Sequence, residues 1–266
     1  MAESRSYDRP VDGKRALVRR PSPRLAEGLL THLQRSPVDV DRAMAQWHGY
    51  VQAFIDAGWQ VIEVEPAPEN PDSGFVEDTM VVYGDLAVIA RSGAVERRDE
   101  TAAAERAVAD AGYRVAHIES PGVLDGGDVL KHGGTVYVGQ SARSNAHAVH
   151  QLAEYLAPLG ATVVAVPLTK VLHLKSAVTA LPDGTVIGYP PVVDDPSVFG
   201  NYLAVPEEPG AHVVLLGDQK LLMSSNAPQT ASLMRERGYE PVLVDIGEFE
   251  KLEGCVTCLS VRLRGV

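Results

Sequence analysis

Ala57-Gly58-Trp59-Gln60-Val61-Ile62-Glu63-Val64 joins a helical pattern to a strand pattern through one glycine. Upstream, Val40, Ala43, Met44, Trp47, Val51, Phe54 and Ile55 recur at the spacing of one helix face. Gly58 suits the left-handed position that ends a helix, and 59–64 alternate as a strand. The same joint returns as AGYRVAHI at 111–118, LGATVVAV at 159–166 and RGYEPVLV at 237–244. Recurrence at intervals of tens of residues marks an array of like supersecondary units.

Around each joint the pattern extends alike. Apolar runs at 80–83 and 86–90 flank the turn Gly84-Asp85 and predict a hairpin. A helix is expected over 99–111, with Asp99 as its cap. The next unit repeats this with 129–130, the turn Gly133-Gly134, 135–138, and a helix over 145–159. Residues 177–181 and 185–188 open another copy. The runs at 213–216 and 220–224, with a helix over 229–237, form a further one. A strand over 256–263, with the apolar run 16–18, closes the set. Five ββαβ units in the α/β class fit a closed ring, and composition shows no linker within 1–266, so one domain is expected.

Four polar clusters fall in step with these units: Phe75-Val76-Glu77-Asp78, Leu124-Asp125-Gly126-Gly127-Asp128, Leu172-His173-Leu174-Lys175-Ser176 and Gly254-Cys255-Val256-Thr257-Cys258. Asp78 and Asp125 stand 47 residues apart, Asp125 and His173 48, and His173 and Cys258 85, close to two periods. In a ring, equivalent positions converge on the axis. Two acids, an imidazole and a thiol are thereby expected to meet. Taken singly, each has a plainer reading. Asp-Gly-Gly-Asp is a turn whose glycines permit positive φ. His173 is a packed histidine and Cys258 a small buried hydrophobe. The common phase favours the chemical reading.

The balance of charge limits the partners. A net charge of −11 argues against a broad nucleic-acid surface and suits a cationic small molecule. Nothing approaches the length of apolar chain a membrane span needs. The two cysteines cannot form a disulfide framework, and the first residues show no secretory apolar stretch, so a cytoplasmic protein is expected. Cys255-x-x-Cys258 has the spacing of a redox motif, but a strand there would turn the two side chains to opposite faces. Cys255 then reads as packing, and no further close ligands suggest zinc.

Asp72 with FVED at 75–78, LDGGDVL at 124–130, VGQSARSN at 138–145, LHLKS at 172–176 and EKLEGCVTCLSV at 250–261 resemble the dimethylarginine dimethylaminohydrolases, nearly end to end. That family lies in the guanidine-modifying superfamily. The resemblance implies a five-bladed, pseudo-symmetric α/β-propeller. It also implies hydrolysis of Nω-methylated L-arginine to L-citrulline and a methylamine through a covalent cysteine intermediate, with no metal or organic cofactor. Position by position, it makes Cys258 the nucleophile and His173 the general acid/base. Asp78 and Asp125 would grip the guanidinium, with Asp72 and Glu77 helping to hold the substrate. Arg97 (or its neighbour Arg98) and Arg143 would bind the α-carboxylate, and Leu30 and Leu252 would add main-chain contacts. A monomer or homodimer acting on a small molecule is expected. The alternatives are arginine deiminase-like hydrolysis and a non-catalytic propeller binding module.

Overall fold

The computed structural model describes residues 13–263. They form five three-stranded sheets, and the fold is the expected five-bladed α/β-propeller. In every sheet an antiparallel pair of strands, a hairpin in four of the five, is joined by a third strand parallel to the middle one. Leu86–Ile89, a middle strand, is buried throughout, while the third strand beside it, Arg114–His117, is exposed at both ends and half-buried between them. Burial on both faces explains why middle strands read as unbroken apolar runs. The ring is closed by its two ends: Val261–Leu263 pairs with Arg15–Val18, which pairs with Gln60–Glu63.

The repeated joint has a common local cause. Gly58, Gly112, Gly160 and Gly238 all adopt positive φ, between 77° and 93°, which turns each helix end into its outer strand. The first of these helices, Val40–Asp56, is capped by Asp39, whose carboxylate accepts the Arg42 N–H at 3.0 Å. Such a cap contributes about 1 kcal/mol. Ala43, Trp47, Tyr50 and Phe54 bury one stripe of it against Ala16, Val18 and Leu25.

Three expectations are corrected. The helix over 99–111 is Thr101–Asp110, and Asp99 does not cap it; a 3-10 segment, Val95–Glu100, precedes it because Arg97 and Glu100 are drawn inward. The fourth blade has no α-helical crossover. Pro190, Pro191 and Pro196 break the chain into the 3-10 turns Pro190–Val192 and Pro196–Phe199 before the strand Tyr202–Ala204, so this blade lacks the joint motif. Finally, the strand over 256–263 begins only at Val261. Residues 255–259 form turns, with the Cys258 N–H donating to the Cys255 carbonyl at 3.1 Å. The two cysteines therefore lie together, their sulfurs 3.4 Å apart, and not on opposite faces.

Inner strands begin next to the axis, and each is preceded by a tight turn. Val76–Thr79, Gly126–Asp128 and Leu174–Ser176 are one-turn 3-10 segments, and 255–259 takes the equivalent place. These turns are hydrogen-bonded in succession. The Glu77 N–H donates to the Cys258 carbonyl (3.1 Å), the Gly127 N–H to the Asp78 carboxylate (2.9 Å), and the Leu174 N–H to the Asp128 carboxylate (3.0 Å). The Gly126-Gly127 pair serves this closeness and not a left-handed turn, since neither glycine has positive φ. A Cβ on Gly126 would lie 2.1 Å from the Glu77 carbonyl oxygen, and one on Gly127 2.6 Å from His173 Nδ1.

Candidate active site

Cys258 and His173 face one cavity at this end of the ring, walled also by Asp72, Asp78, Arg97, Arg143 and Leu252. All but Arg143 are buried. Apolar cover comes from Leu29, Phe75 and Leu172. The cavity is about 20 Å³, room for a single water and not for an amino acid. Its cover is tied down: the Leu29 N–H reaches the Asp72 carboxylate at 3.1 Å, and the Glu253 carboxylate accepts the N–H groups of Thr31, His32 and Leu33. Glu253 holds this position at a φ of 61°, a left-handed conformation that a residue with a Cβ adopts at a cost.

His173 is clasped by acids. Its Nε2 lies 3.2 Å from Asp125 Oδ2 and its Nδ1 3.7 Å from Asp78 Oδ1. Burial disfavours the imidazolium, but the charges of Asp78, Asp128 and Asp125 outweigh it and raise His173 to about 9. At neutral pH the ring carries both protons and is poised as an acid. Asp125 is the matching partner. Burial would raise it, but His173, then Arg97 and Arg143, hold it well below the usual carboxylate range.

Asp125 is not on the cavity wall; it stands behind His173. Its oxygens are engaged by His173, by Arg143 Nη1 (3.2 Å) and by the Gly93 N–H (3.2 Å). Of Asp78 and Asp125, it is Asp78 that reaches the cavity. Arg97 Nη1 donates to its Oδ2 at 2.6 Å, and the rest of the Arg97 fork engages Glu100 and the carbonyls of Asp72 and Phe75. Each carboxylate oxygen keeps a further lone pair for a guest. Arg98 points away, its Nε on the Ser92 carbonyl, so Arg97 is the arginine of this pair at the site.

Two of the named residues lie elsewhere. Glu77 faces away from the cavity and anchors Lys175 (2.6 Å) and Arg262. Neighbours on a one-turn segment point apart, so its adjacency to Asp78 does not carry it into the site. Leu30 packs against the apolar core, while Leu29 takes the place on the wall. The sequence reading also passed over Asp128 and Glu100. Asp128 is fully buried and accepts from Ser144 Oγ (2.6 Å) and the Leu174 N–H; burial pushes it up to about 7, against the pull of His173 and Ser144. It was visible as the second acid of Asp-Gly-Gly-Asp. Glu100 carried no signal beyond its place three residues after Arg97.

In the cysteine pair, Cys258 is pushed well above the ordinary thiol value, first by its hydrogen bond with Cys255, then by burial and the Cys255, Glu77 and Asp78 charges. Cys255 moves the other way: the bond from Cys258 lowers it, burial opposes, and His212 and Thr257 assist. A resting Cys258 thiol beside an imidazolium and an excess of acids suits a cationic guest, whose charge would draw the thiol proton off. The arrangement can hold a planar cation and attack it with sulfur while an acid waits to protonate what leaves.

Relatives agree with that chemistry. No family model matches the chain. It is 63% identical, over 254 residues, to the N(G),N(G)-dimethylarginine dimethylaminohydrolase of Streptomyces coelicolor, covering 96% of this chain and 98% of that protein. A solved structure of DDAH from Pseudomonas aeruginosa, a cysteine-to-serine mutant complexed with citrulline, is 31% identical with a TM-score of 0.87, covering 94% of this chain and 99% of that one. A dimethylarginine dimethylaminohydrolase histidine-to-glycine variant, solved as an adduct with S-methyl-L-thiocitrulline, has the same identity and TM-score, over 94% of this chain and 100% of that one.

Proposed function

The chain belongs to the dimethylarginine dimethylaminohydrolase family, and from that we infer that it hydrolyses Nω-methylated L-arginine to L-citrulline and a methylamine, with Cys258 as nucleophile. One observation carries the assignment of roles. Cys258 and an imidazole raised to about 9 share a cavity with a carboxylate, Asp78, that still has acceptor capacity.

The guanidinium lies on Asp78, with its central carbon facing sulfur. Its positive charge, together with His173, lowers the Cys258 thiol, which gives its proton to solvent, and the thiolate adds to that carbon. His173 gives its proton to the departing dimethylamine, leaving a covalent thiouronium on Cys258. The imidazole, now neutral, takes a proton from water. Hydroxide adds, thiolate is expelled and takes up the proton left on the new oxygen, and the neutral ureido group of citrulline remains. Asp125 holds His173 in place through both halves. Asp72 meets the substrate's amino group, and Arg143 its carboxylate. Substrate entry requires the 29–33 segment to lift from Asp72 and Glu253. We also propose that residues 1–266 act as one domain, in the cytoplasm, as a monomer or homodimer, without metal or organic cofactor. The lack of a disulfide framework in the sequence supports the cytoplasm.

Citrulline release from asymmetric dimethylarginine, monomethylarginine and arginine, measured side by side, tests the reading. Turnover of the methylated substrates above arginine is expected. Faster release from arginine would favour a deiminase, and no release from any would overturn the assignment. Arg143→Ala is expected to raise KM by roughly ten- to hundred-fold, the loss of about 1.5–3 kcal/mol for a charged hydrogen bond. A fall in kcat with KM unmoved would remove Arg143 from the carboxylate clamp.

A further inference from the structure

The two cysteines of the chain touch, and a second cavity reaches the one that catalysis does not use. Cys255 forms part of the wall of a cavity of about 370 Å³, separate from the one facing Cys258. Leu172, Glu253 and Gly254 line both cavities, and Cys255 lines one while Cys258 lines the other. The second cavity is far larger than the closed substrate pocket, and His32, Lys170, His212 and Glu208 mix polar groups into its apolar walls.

We propose that Cys255 and Cys258 form a reversible disulfide that switches the enzyme off, made by a small disulfide arriving through the second cavity. The geometry already lies near the bonded state. The sulfurs are 3.4 Å apart and need to close to about 2.05 Å. A turn closed by the Cys258 N–H on the Cys255 carbonyl keeps the two Cα atoms within about 7 Å, inside or near the range a disulfide spans. Among the described residues Cys255 Sγ also meets Thr257 Oγ1 at 3.2 Å, a contact that steadies a thiolate. Cys255 is the more acidic of the pair, and it faces the roomier side.

The exchange balances without any other reactant. Cys255 thiolate attacks one sulfur of the small disulfide and expels a thiolate, which takes a proton. Cys258 then loses its proton and attacks the Cys255 sulfur, expelling the second thiolate. The protein loses two protons and two electrons, and the small disulfide takes them up to become two thiols. A short, turn-spanning disulfide of this kind is readily reduced again by excess thiol. While it stands, the sulfur of Cys258 is bonded to that of Cys255 and cannot ionise to the thiolate that attacks. The loss of turnover rests on the role proposed for Cys258; the bond itself does not, so the two are measured separately.

The test treats the full chain with 2-hydroxyethyl disulfide, then reads intact mass, free thiols and citrulline release. The expected result is a protein lighter by two hydrogens, no free thiol, and turnover reduced at least tenfold and restored by dithiothreitol. Cys255→Ser, which keeps size and shape, is expected to retain turnover and to resist the same treatment. A stable mixed disulfide in the wild-type protein, or two free thiols surviving treatment, would overturn the bond. Equal sensitivity of wild type and Cys255→Ser would overturn the switch. A bond that forms and leaves turnover intact would instead count against Cys258 as nucleophile.

Discussion

Cys258→Ser is expected to lower citrulline release from asymmetric dimethylarginine by roughly 10⁴-fold or more, the scale on which loss of a nucleophile is felt. A hydroxyl is far less acidic than a thiol and would need a neutral base at hand. His173 is not one. With its value raised to about 9 by Asp78, Asp128 and Asp125 against burial, it is protonated at neutral pH and offers a proton in place of taking one. The site is therefore built for a sulfur that can ionise once a cation sits beside it, and oxygen cannot stand in. Thermal melting of the variant should stay near wild type, because the substitution preserves volume in the 255–259 turn. Cys255→Ser, which leaves the nucleophile in place, is expected to keep turnover, and equal loss from both variants would shift the chemistry to the pair.

His173→Gly is expected to cost roughly 10²–10⁴ in kcat, the worth of a positioned acid/base. Both half-reactions suffer, and hydrolysis of the thiouronium loses the imidazole that takes the proton from water, Asp78 being held by Arg97 and Gly127. Covalent enzyme should consequently accumulate. In the wild type the same imidazole sets an alkaline limit. The acid form is present below about pH 9 and lost above it, so kcat/KM should fall as pH rises through that value. Folding follows the same sign. His173 binds its proton more tightly folded than unfolded, where its value is about 6.5. Its contribution to stability is thus full below about pH 6.5 and fades as pH rises through about 9. A pH–rate profile flat to pH 10 would contradict the role of His173 as acid.

Much of this was legible before the fold. The helix–glycine–strand joints at 57–64, 111–118, 159–166 and 237–244 announced a ring, because a cap glycine and an outer strand are both local signals. The spacing of Asp78, Asp125, His173 and Cys258 announced a common axis, since each sits just before, or in the turn that precedes, an inner strand. What stayed hidden depends on direction within a single turn. Glu77 and Asp78 are adjacent, yet one faces Lys175 and Arg262 and the other the cavity. Leu29 and Leu30 exchange wall and core in the same way. Cys255 read as packing on the face opposite Cys258 because Val256 and Thr257 are good strand formers and 256–263 read as a strand. The successive hydrogen bonds that hold the axial turns together override that propensity, and those bonds are invisible in sequence. The fourth blade was marked only by Pro190, Pro191 and Pro196, which break the chain between 189 and 204 and leave no periodic signal there.

That Cys258 attacks the guanidinium carbon is tested most directly by acid-quenching His173→Gly during incubation with asymmetric dimethylarginine and weighing its peptides. The expected result is a peptide in which Cys258, and not Cys255, carries the substrate's amidine less dimethylamine. Citrulline release with an unmodified Cys258, or an adduct on Cys255 instead, would contradict the account.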